Sequence, residues 1–276
     1  MLLFVFLEDF MPRKGKRGHG WCSDRLKEFD RIRKQIERIT NGGDRRELFR
    51  CLELCCGTKS FLRAVRRRFT KSRCVTVDVN PKFAADVIVD VINWIAEHRQ
   101  GWFDVIWISP PCKEYSNSKT VGVRDIKGAD AVAMSCLVHL EALDPLVYFI
   151  ENPQSSMLWK RPFMKAYVHG IYTCTYCMYG KLYMKPTNIC SNIHLELRRC
   201  AGECRCEHVQ LVYDEFGHFL HPHLSQSGDK LHHCGFFQKG TPELEAATVP
   251  ENLVDDLLDQ ALTWMERQGH SRAHQR

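Results

Sequence analysis

The stretch RCLELCCGTKSFLRAVRRRFTKSRCVTVDV, Arg50 to Val79, decides the fold. Residues 50–56 read as a strand that runs into a turn at Gly57. Residues 60–69 read as a helix, and residues 72–79 as a second strand. The alternation continues with a short strand at 85–91, a helix at 92–99, a strand at 103–109, a helix at 130–143 and a strand at 146–152. Continuous apolar strands alternating with helices predict a mostly parallel sheet covered on both faces. In such sheets ligands bind beyond the carboxyl ends of the strands.

Three of those strand ends carry chemistry. The first is LELCCGTKS (52–60), where a strand, a turn with Gly57 and a helix follow one another. Glycine permits close backbone approach, and a helix N-terminus offers free N–H groups to a nucleotide-like cofactor. Asp78 follows Gly57 by 21 positions, at the end of the next strand, where an acidic side chain suits a ribose diol. Lys59 stands where a dinucleotide site would have its second glycine, so the cofactor expected here has no pyrophosphate. The second is FDVIWISPPCKEYS (103–116): two prolines end the strand and hold Cys112 on a rigid turn, where a stabilised thiolate becomes a nucleophile. The third is VYFIENP (147–153), in which Glu151 follows four apolar or aromatic residues, and a desolvated carboxyl there suits proton donation.

Cofactor turn, Pro-Pro-Cys and Glu-Asn, at successive strand ends and in that order, resemble the cytosine-C5 DNA methyltransferase family, in its compact phage and virus branch. The segments that carry the resemblance are LELCCGTKSF, TVDVNPKFAADVIVDV, ISPPCKEYS, FIENPQSSML and YCMYGKLYMKPTNICSN, which span residues 50–192. The resemblance implies a class I S-adenosylmethionine-dependent methyltransferase fold. It implies that Cys112 attacks C6 of cytosine while Glu151 protonates N3, with S-adenosylmethionine as methyl donor. It carries cofactor contacts onto Glu53, Cys55, Gly57, Thr58, Asp78, Asp90 and Pro110, with Phe61 as a further wall. It carries contacts with the base or its phosphate onto Ser116, Asn152, Lys185 and Thr187. Lys113 after the cysteine and Pro153 after the asparagine depart from the larger members of the family, and a long target-recognition domain is missing.

The remainder frames this core. The 276 residues are read as a basic arm (1–20), a helix (21–45), the catalytic core (46–192), a Cys/His-rich segment (193–245) and a final helix with its tail (246–276). Residues 1–73 hold 20 Lys and Arg against 9 Asp and Glu, an asymmetry that points to a polyanionic partner, DNA by the resemblance. Met1 to Leu7 is too short for a signal sequence and lacks its flanks, so a short strand, a disordered end or a start at Met11 is expected. No apolar run approaches the roughly 18 residues of a membrane helix, and no membrane partner is expected. Fourteen scattered cysteines read mostly as reduced, buried small hydrophobes in an intracellular compartment, the cytoplasm or nucleus. Cys200, Cys204, Cys206 and His208 form a candidate structural zinc site, with Cys234, His232 or one of the histidines at 218–223 as alternative ligands. CTYC (174–177) reads as strand, which sends its two cysteines apart, and is set aside as coincidence. Other readings stay open: an RNA (tRNA) cytosine-C5 methyltransferase, an amino-group methyltransferase, and a catalytically silent nucleic-acid binder of the same fold.

Overall fold

A computed structural model of the chain describes residues 48–117, 119, 122–200, 206–216, 221–224, 230–231 and 237–269. The arm and helix expected over 1–45 lie outside the described residues, as do Cys204 and Cys234. Seven strands make one sheet: β1 (Phe49–Leu54), β2 (Ser72–Asp78), β3 (Val87–Ile88), β4 (Val105–Ile108), β5 (Val147–Pro153), β6 (Ile171–Thr175) and β7 (Pro186–Ser191). Their order is β3-β2-β1-β4-β5-β7-β6. Only β7 runs against the rest, antiparallel to both β5 and β6. This is the class I methyltransferase architecture that the resemblance implies. The order reverses between β1 and β4, so the ends of those strands flank the crevice where an open α/β sheet binds ligands. A short three-stranded sheet, β8 (His223–Leu224), β9 (Lys230–Leu231) and β10 (Phe237–Gly240), has the order β8-β10-β9.

The helices are α1 (Ser60–Arg68), α2 (Ile126–Leu143), α3 (Glu207–Phe216), α4 (Glu243–Ala247) and α5 (Glu251–Arg267). Strand side chains alternate between faces, and two cores result. Phe49, Trp107 and Phe149 pack with Phe61 and Val65 of α1 and Leu253 and Leu257 of α5. Leu52, Ile106 and Ile150 pack on the other face with Cys136, Leu137 and Leu140 of α2. The same alternation sets Glu53 and Glu151 on the α1/α5 side, in step with Cys51 and Phe149. Each fully buried Leu of α5 contributes roughly 1.5–3 kcal/mol.

α1 and α5 are also joined along their exposed flanks. Arg63 meets Glu251 at 2.9 Å, Arg67 meets Glu251 at 2.5 Å and Asp255 at 2.6 Å, and Arg68 meets Asp259. Spacing by four residues lines up Arg63 with Arg67 on α1, and Glu251, Asp255 and Asp259 on α5, with Arg68 beside them. Being exposed, each pair is worth about 0–1 kcal/mol.

Two expectations are corrected. Residues 92–99 form turns and irregular backbone instead of a helix. Ile92 and Ile95 are 45% and 53% exposed while Trp94 and Ala96 pack on the core, an alternation that does not follow a helical period. Cys51 and Cys74, read as free thiols, stand in register on β1 and β2 and are paired as a disulfide.

Leu257→Ala should lower stability to urea unfolding by about 2–5 kcal/mol, because it leaves a cavity between α5 and the sheet. Arg67→Ala should cost no more than about 1 kcal/mol, and that cost should vanish in molar salt.

Candidate active site

The turn after β1 is built from left-handed backbone. Cys55, Gly57 and Lys59 have φ of 54°, 46° and 57°. A Cβ at Gly57 would meet no atom within 4 Å, so the turn faces open space and glycine is there for its conformation. Gly57 N donates to Asp78 Oδ2 at 2.9 Å, and Asn80 N donates to Asp78 Oδ1 at 2.8 Å. The Asp78 carboxylate thus ties β2 to the turn and keeps lone pairs to spare. Val89 N donates to Asp78 O at 3.1 Å, which brings Asp90 alongside; its Oδ1 accepts from Ile92 N at 3.0 Å. Thr58 is half-buried, with Oγ1 at 3.1 Å from Ser60 Oγ.

Three of the predicted cofactor residues have protein partners. Glu53, 2% exposed, accepts from Phe61 N at 3.3 Å and from Leu62 N at 3.0 Å. It satisfies two orphan donors at the start of α1 and faces the protein instead of a ligand. Burial pushes its carboxyl up to about 8, against the pull of the two N–H groups. Cys55 Sγ lies 3.9 Å from Cys136 Sγ of α2, and this contact, with burial and the nearby Asp78 and Asp90, holds the Cys55 thiol protonated. Phe61 is fully buried and stacks on Trp107 with ring centroids 5.4 Å apart, so it belongs to the core.

The ends of β4 and β5 lie side by side, with Ile108 in register with Ile150. Just beyond them, Asn152 Nδ2 donates to the Pro110 carbonyl at 2.8 Å. This bond is buried, and it locks the Pro-Pro-Cys turn to the Glu-Asn segment. Asn152, 1% exposed, braces the turn, and its buried Oδ1 finds no hydrogen-bond partner among the described residues. Pro110 is buried, with its carbonyl committed to that bond. Glu151 is 7% exposed, and its Oε1 accepts from the Tyr176 hydroxyl at 3.0 Å. Cys112 is half-exposed. Burial pushes its thiol up and the charge of Glu151 adds to the push, while Lys185 pulls it down. Lys185 Nζ stands 4.8 Å over the Tyr176 ring and donates to Ala246 O at 2.8 Å. Thr187, opposite Pro153 in the antiparallel pair, is fully buried and cannot meet a base where it stands.

The chain after Cys112 is knotted around Arg124, a residue sequence reasoning missed. Its guanidinium donates to the carbonyls of Glu114 and Ser116 at 2.7 Å each and of Lys119 at 3.1 Å. Ser116 is thereby engaged through its backbone. Tyr115 is fully buried and donates to Asp130 at 2.9 Å. Tyr176 was missed as well. The signal was present, since a tyrosine hydroxyl in an apolar stretch needs a buried partner.

The Cys/His-rich region also departs from expectation. Cys200 and Cys206 converge with His221, as one alternative allowed, and with Cys177, the second cysteine of CTYC. Cys174 ends in the core of the sheet, because β6 stops at Thr175 and the chain turns at Tyr176–Tyr179. His208 stands on α3 outside that group, and its buried Nε2 finds no hydrogen-bond partner among the described residues.

No family model matches the chain. It is 27% identical over 229 residues to the "Probable DNA (cytosine-5)-methyltransferase" of Frog virus 3 (isolate Goorha), covering 76% of this chain and 99% of that protein. Among solved structures it is similar to the Entamoeba histolytica methyltransferase EhMeth, with TM-score 0.46, 11% identity and coverage of 79% of this chain and 99% of that one. It is also similar to the S. pombe Dnmt2 methyltransferase, with TM-score 0.48, 12% identity and coverage of 79% and 99%. The resemblance read from the motifs therefore stands, and the curated relative is viral.

Glu53 generates a pH prediction. Its carboxyl titrates near 8 in the folded chain and at its ordinary 4.5 in the unfolded one. Between those values the folded state holds the extra proton, so this group's contribution to stability falls as pH rises. The slope is at most about 1.4 kcal/mol per pH unit. The stability difference between wild type and Glu53→Gln, measured by urea unfolding from pH 5 to 9, should move in favour of the variant with rising pH and level off above 8. A difference that does not change with pH refutes the assignment.

Proposed function

We propose that this chain, a relative of the cytosine-C5 methyltransferases, methylates C5 of cytosine in DNA, with Cys112 as nucleophile and Glu151 as acid. The observation that carries the reading is the juxtaposition at the ends of β4 and β5. A half-exposed thiol and a buried carboxyl are braced there by one hydrogen bond, Asn152 to Pro110, and feel each other's charge.

The cofactor fits the β1–β2 side of the crevice. The open space above Gly57 receives a backbone-hugging ligand, and the spare lone pairs of Asp78 and the adjacent Asp90 suit a ribose diol and an adenine amine. When bound, S-adenosylmethionine supplies a methyl group activated by its sulfonium.

The chain's own residues then do the following. Cytosine C6 is attacked from its face, so the base has to leave the stack. The Cys112 thiol gives its proton to water as its sulfur forms a bond to C6, the C5–C6 π pair is displaced into the ring, and N3 takes a proton from Glu151. That proton neutralises charge which would otherwise accumulate on the ring, and it leaves C5 nucleophilic. Tyr176 holds the Glu151 carboxyl in place through its hydroxyl. Once C5 carries the methyl group it gives up its proton to water, the C5–C6 double bond re-forms, the bond to Cys112 breaks, and N3 returns its proton to Glu151. The charge of Glu151 disfavours the thiolate of Cys112, so a protonated Glu151 serves both steps: it removes that repulsion and supplies the proton.

The test is covalent capture. A DNA duplex with 5-fluorocytosine has fluorine where the departing C5 proton should be, so wild-type protein with the cofactor should form an adduct stable to denaturation, and Cys112→Ser should form none. An adduct on 5-fluorocytosine RNA but none on DNA reassigns the substrate, and none on either polymer refutes the covalent mechanism. Tyr176→Phe should lower kcat about tenfold, the value of one hydrogen bond to a reacting group, while KM for DNA stays within about twofold. An equal change in both constants would mean general damage to the site.

A further inference from the structure

Away from the strand-end crevice, four side chains from separate stretches of the chain meet. Cys177 lies in the turn Tyr176–Tyr179 that follows β6. Cys200 closes the segment after β7, Cys206 immediately precedes α3, and His221 lies between α3 and β8. Their three sulfurs and one imidazole nitrogen all lie within 4.8 Å of one another. His221 Nε2 is 3.4 Å from Cys206 Sγ and 3.9 Å from Cys200 Sγ. A zinc ion takes sulfur at about 2.3 Å and nitrogen at about 2.0 Å, and at tetrahedral angles this separates two sulfurs by roughly 3.8 Å and sulfur from nitrogen by roughly 3.5 Å. The two observed sulfur–nitrogen distances lie close to the value for such a cage.

The competing reading is that these cysteines are ordinary buried hydrophobes. Their surroundings oppose it. Among the described residues, the cluster they form contains Cys177, Cys200, Cys206 and Val209, with Met178 packed against it. So small an apolar group cannot by itself order the chain around it, and small folded units of this kind are held by a metal or a disulfide. All three cysteines are free thiols. Backbone contacts already bring the stretches together: Thr175 N donates to Arg198 O at 3.2 Å, and Cys200 N donates to Thr175 Oγ1 at 2.7 Å. The three thiols are buried and the imidazole is half-buried. Four protein ligands close a tetrahedral ion, leave no position for substrate, and so make a structural site.

We propose that Cys177, Cys200, Cys206 and His221 bind one zinc ion, which fastens the Cys/His-rich segment to the turn that carries Tyr176. The inference does not depend on the chemistry assigned to Cys112. The ion binds one residue away from Tyr176, whose hydroxyl holds the Glu151 carboxyl. It therefore also steadies the wall of the crevice.

The experiment is metal analysis of the purified full chain after equilibration with zinc and dialysis. About one zinc per chain is expected, with X-ray absorption giving three sulfur neighbours near 2.3 Å and one nitrogen near 2.0 Å. Cys206→Ser and His221→Ala should retain less than a tenth of that zinc. Cys136→Ser, a buried thiol elsewhere, and His208→Ala should retain all of it. Should the ligand variants fail to fold, the wild-type absorption spectrum decides. So does cobalt substitution, which should show intense visible bands and a thiolate charge-transfer band. Folded wild-type protein without zinc overturns the proposal. So do a sphere dominated by oxygen or nitrogen, and loss of zinc in His208→Ala with retention in His221→Ala.

Discussion

The site depends on one buried hydrogen bond, from Asn152 Nδ2 to the carbonyl of Pro110. Two prolines remove the backbone donors that would otherwise extend β4, so the turn holding Cys112 cannot be fixed by the sheet ladder. A side-chain amide on the neighbouring strand supplies what the ladder cannot. Glu151 and Asn152 are adjacent and point to opposite faces of β5, so the residue that braces the thiol's turn also fixes the height of the carboxyl. Breaking this bond would free the turn and leave an unsatisfied carbonyl in a dry place, which costs about 1–3 kcal/mol.

Electrostatics then decide what the juxtaposition can do. Burial and Glu151 both raise the Cys112 thiol, and Lys185 alone among its principal neighbouring charges opposes them. At rest the thiol therefore keeps its proton, which protects a half-exposed cysteine from adventitious chemistry. Lys185 is held in turn by the Ala246 carbonyl and the Tyr176 ring. Tyr176 is thus shared between the carboxyl and the ammonium group, and it couples the two charges that govern the thiol. In the proposed reaction a proton on Glu151 removes the repulsion that adds to burial in opposing the thiolate, so the state suited to attack is also the state suited to protonate the base.

Much of this was legible along the chain. Continuous apolar runs located β1, β2, β4 and β5, and the turn read at Gly57 stands beside Asp78, 21 residues on. What was illegible depends on who lies opposite whom. Glu53 resembled a cofactor ligand, but period two turns it toward α1, whose first N–H groups claim it. Thr187 and Asn152 sit in recognisable motifs, yet burial in the antiparallel β5–β7 pair decides their role. Cys177 was dismissed because a continuous strand would point it away from Cys174. The strand ends between them, and that break sends Cys174 into the core and Cys177 outward to Cys200 and Cys206.

The charge asymmetry has to be reinterpreted on the same ground. Three of the arginines counted in the basic front half, Arg63, Arg67 and Arg68, face Glu251, Asp255 and Asp259 of α5. The acidic back half of the chain neutralises part of the basic front half within one molecule. These guanidiniums hold the last helix over the first, and a polyanion would have to displace carboxylates to reach them. Arg124 is spent on backbone carbonyls beside Cys112. Charge counted along the sequence therefore overstates what is free to meet phosphates. Lys113, directly after Cys112, is exposed, whereas the cation that acts on the thiol is Lys185.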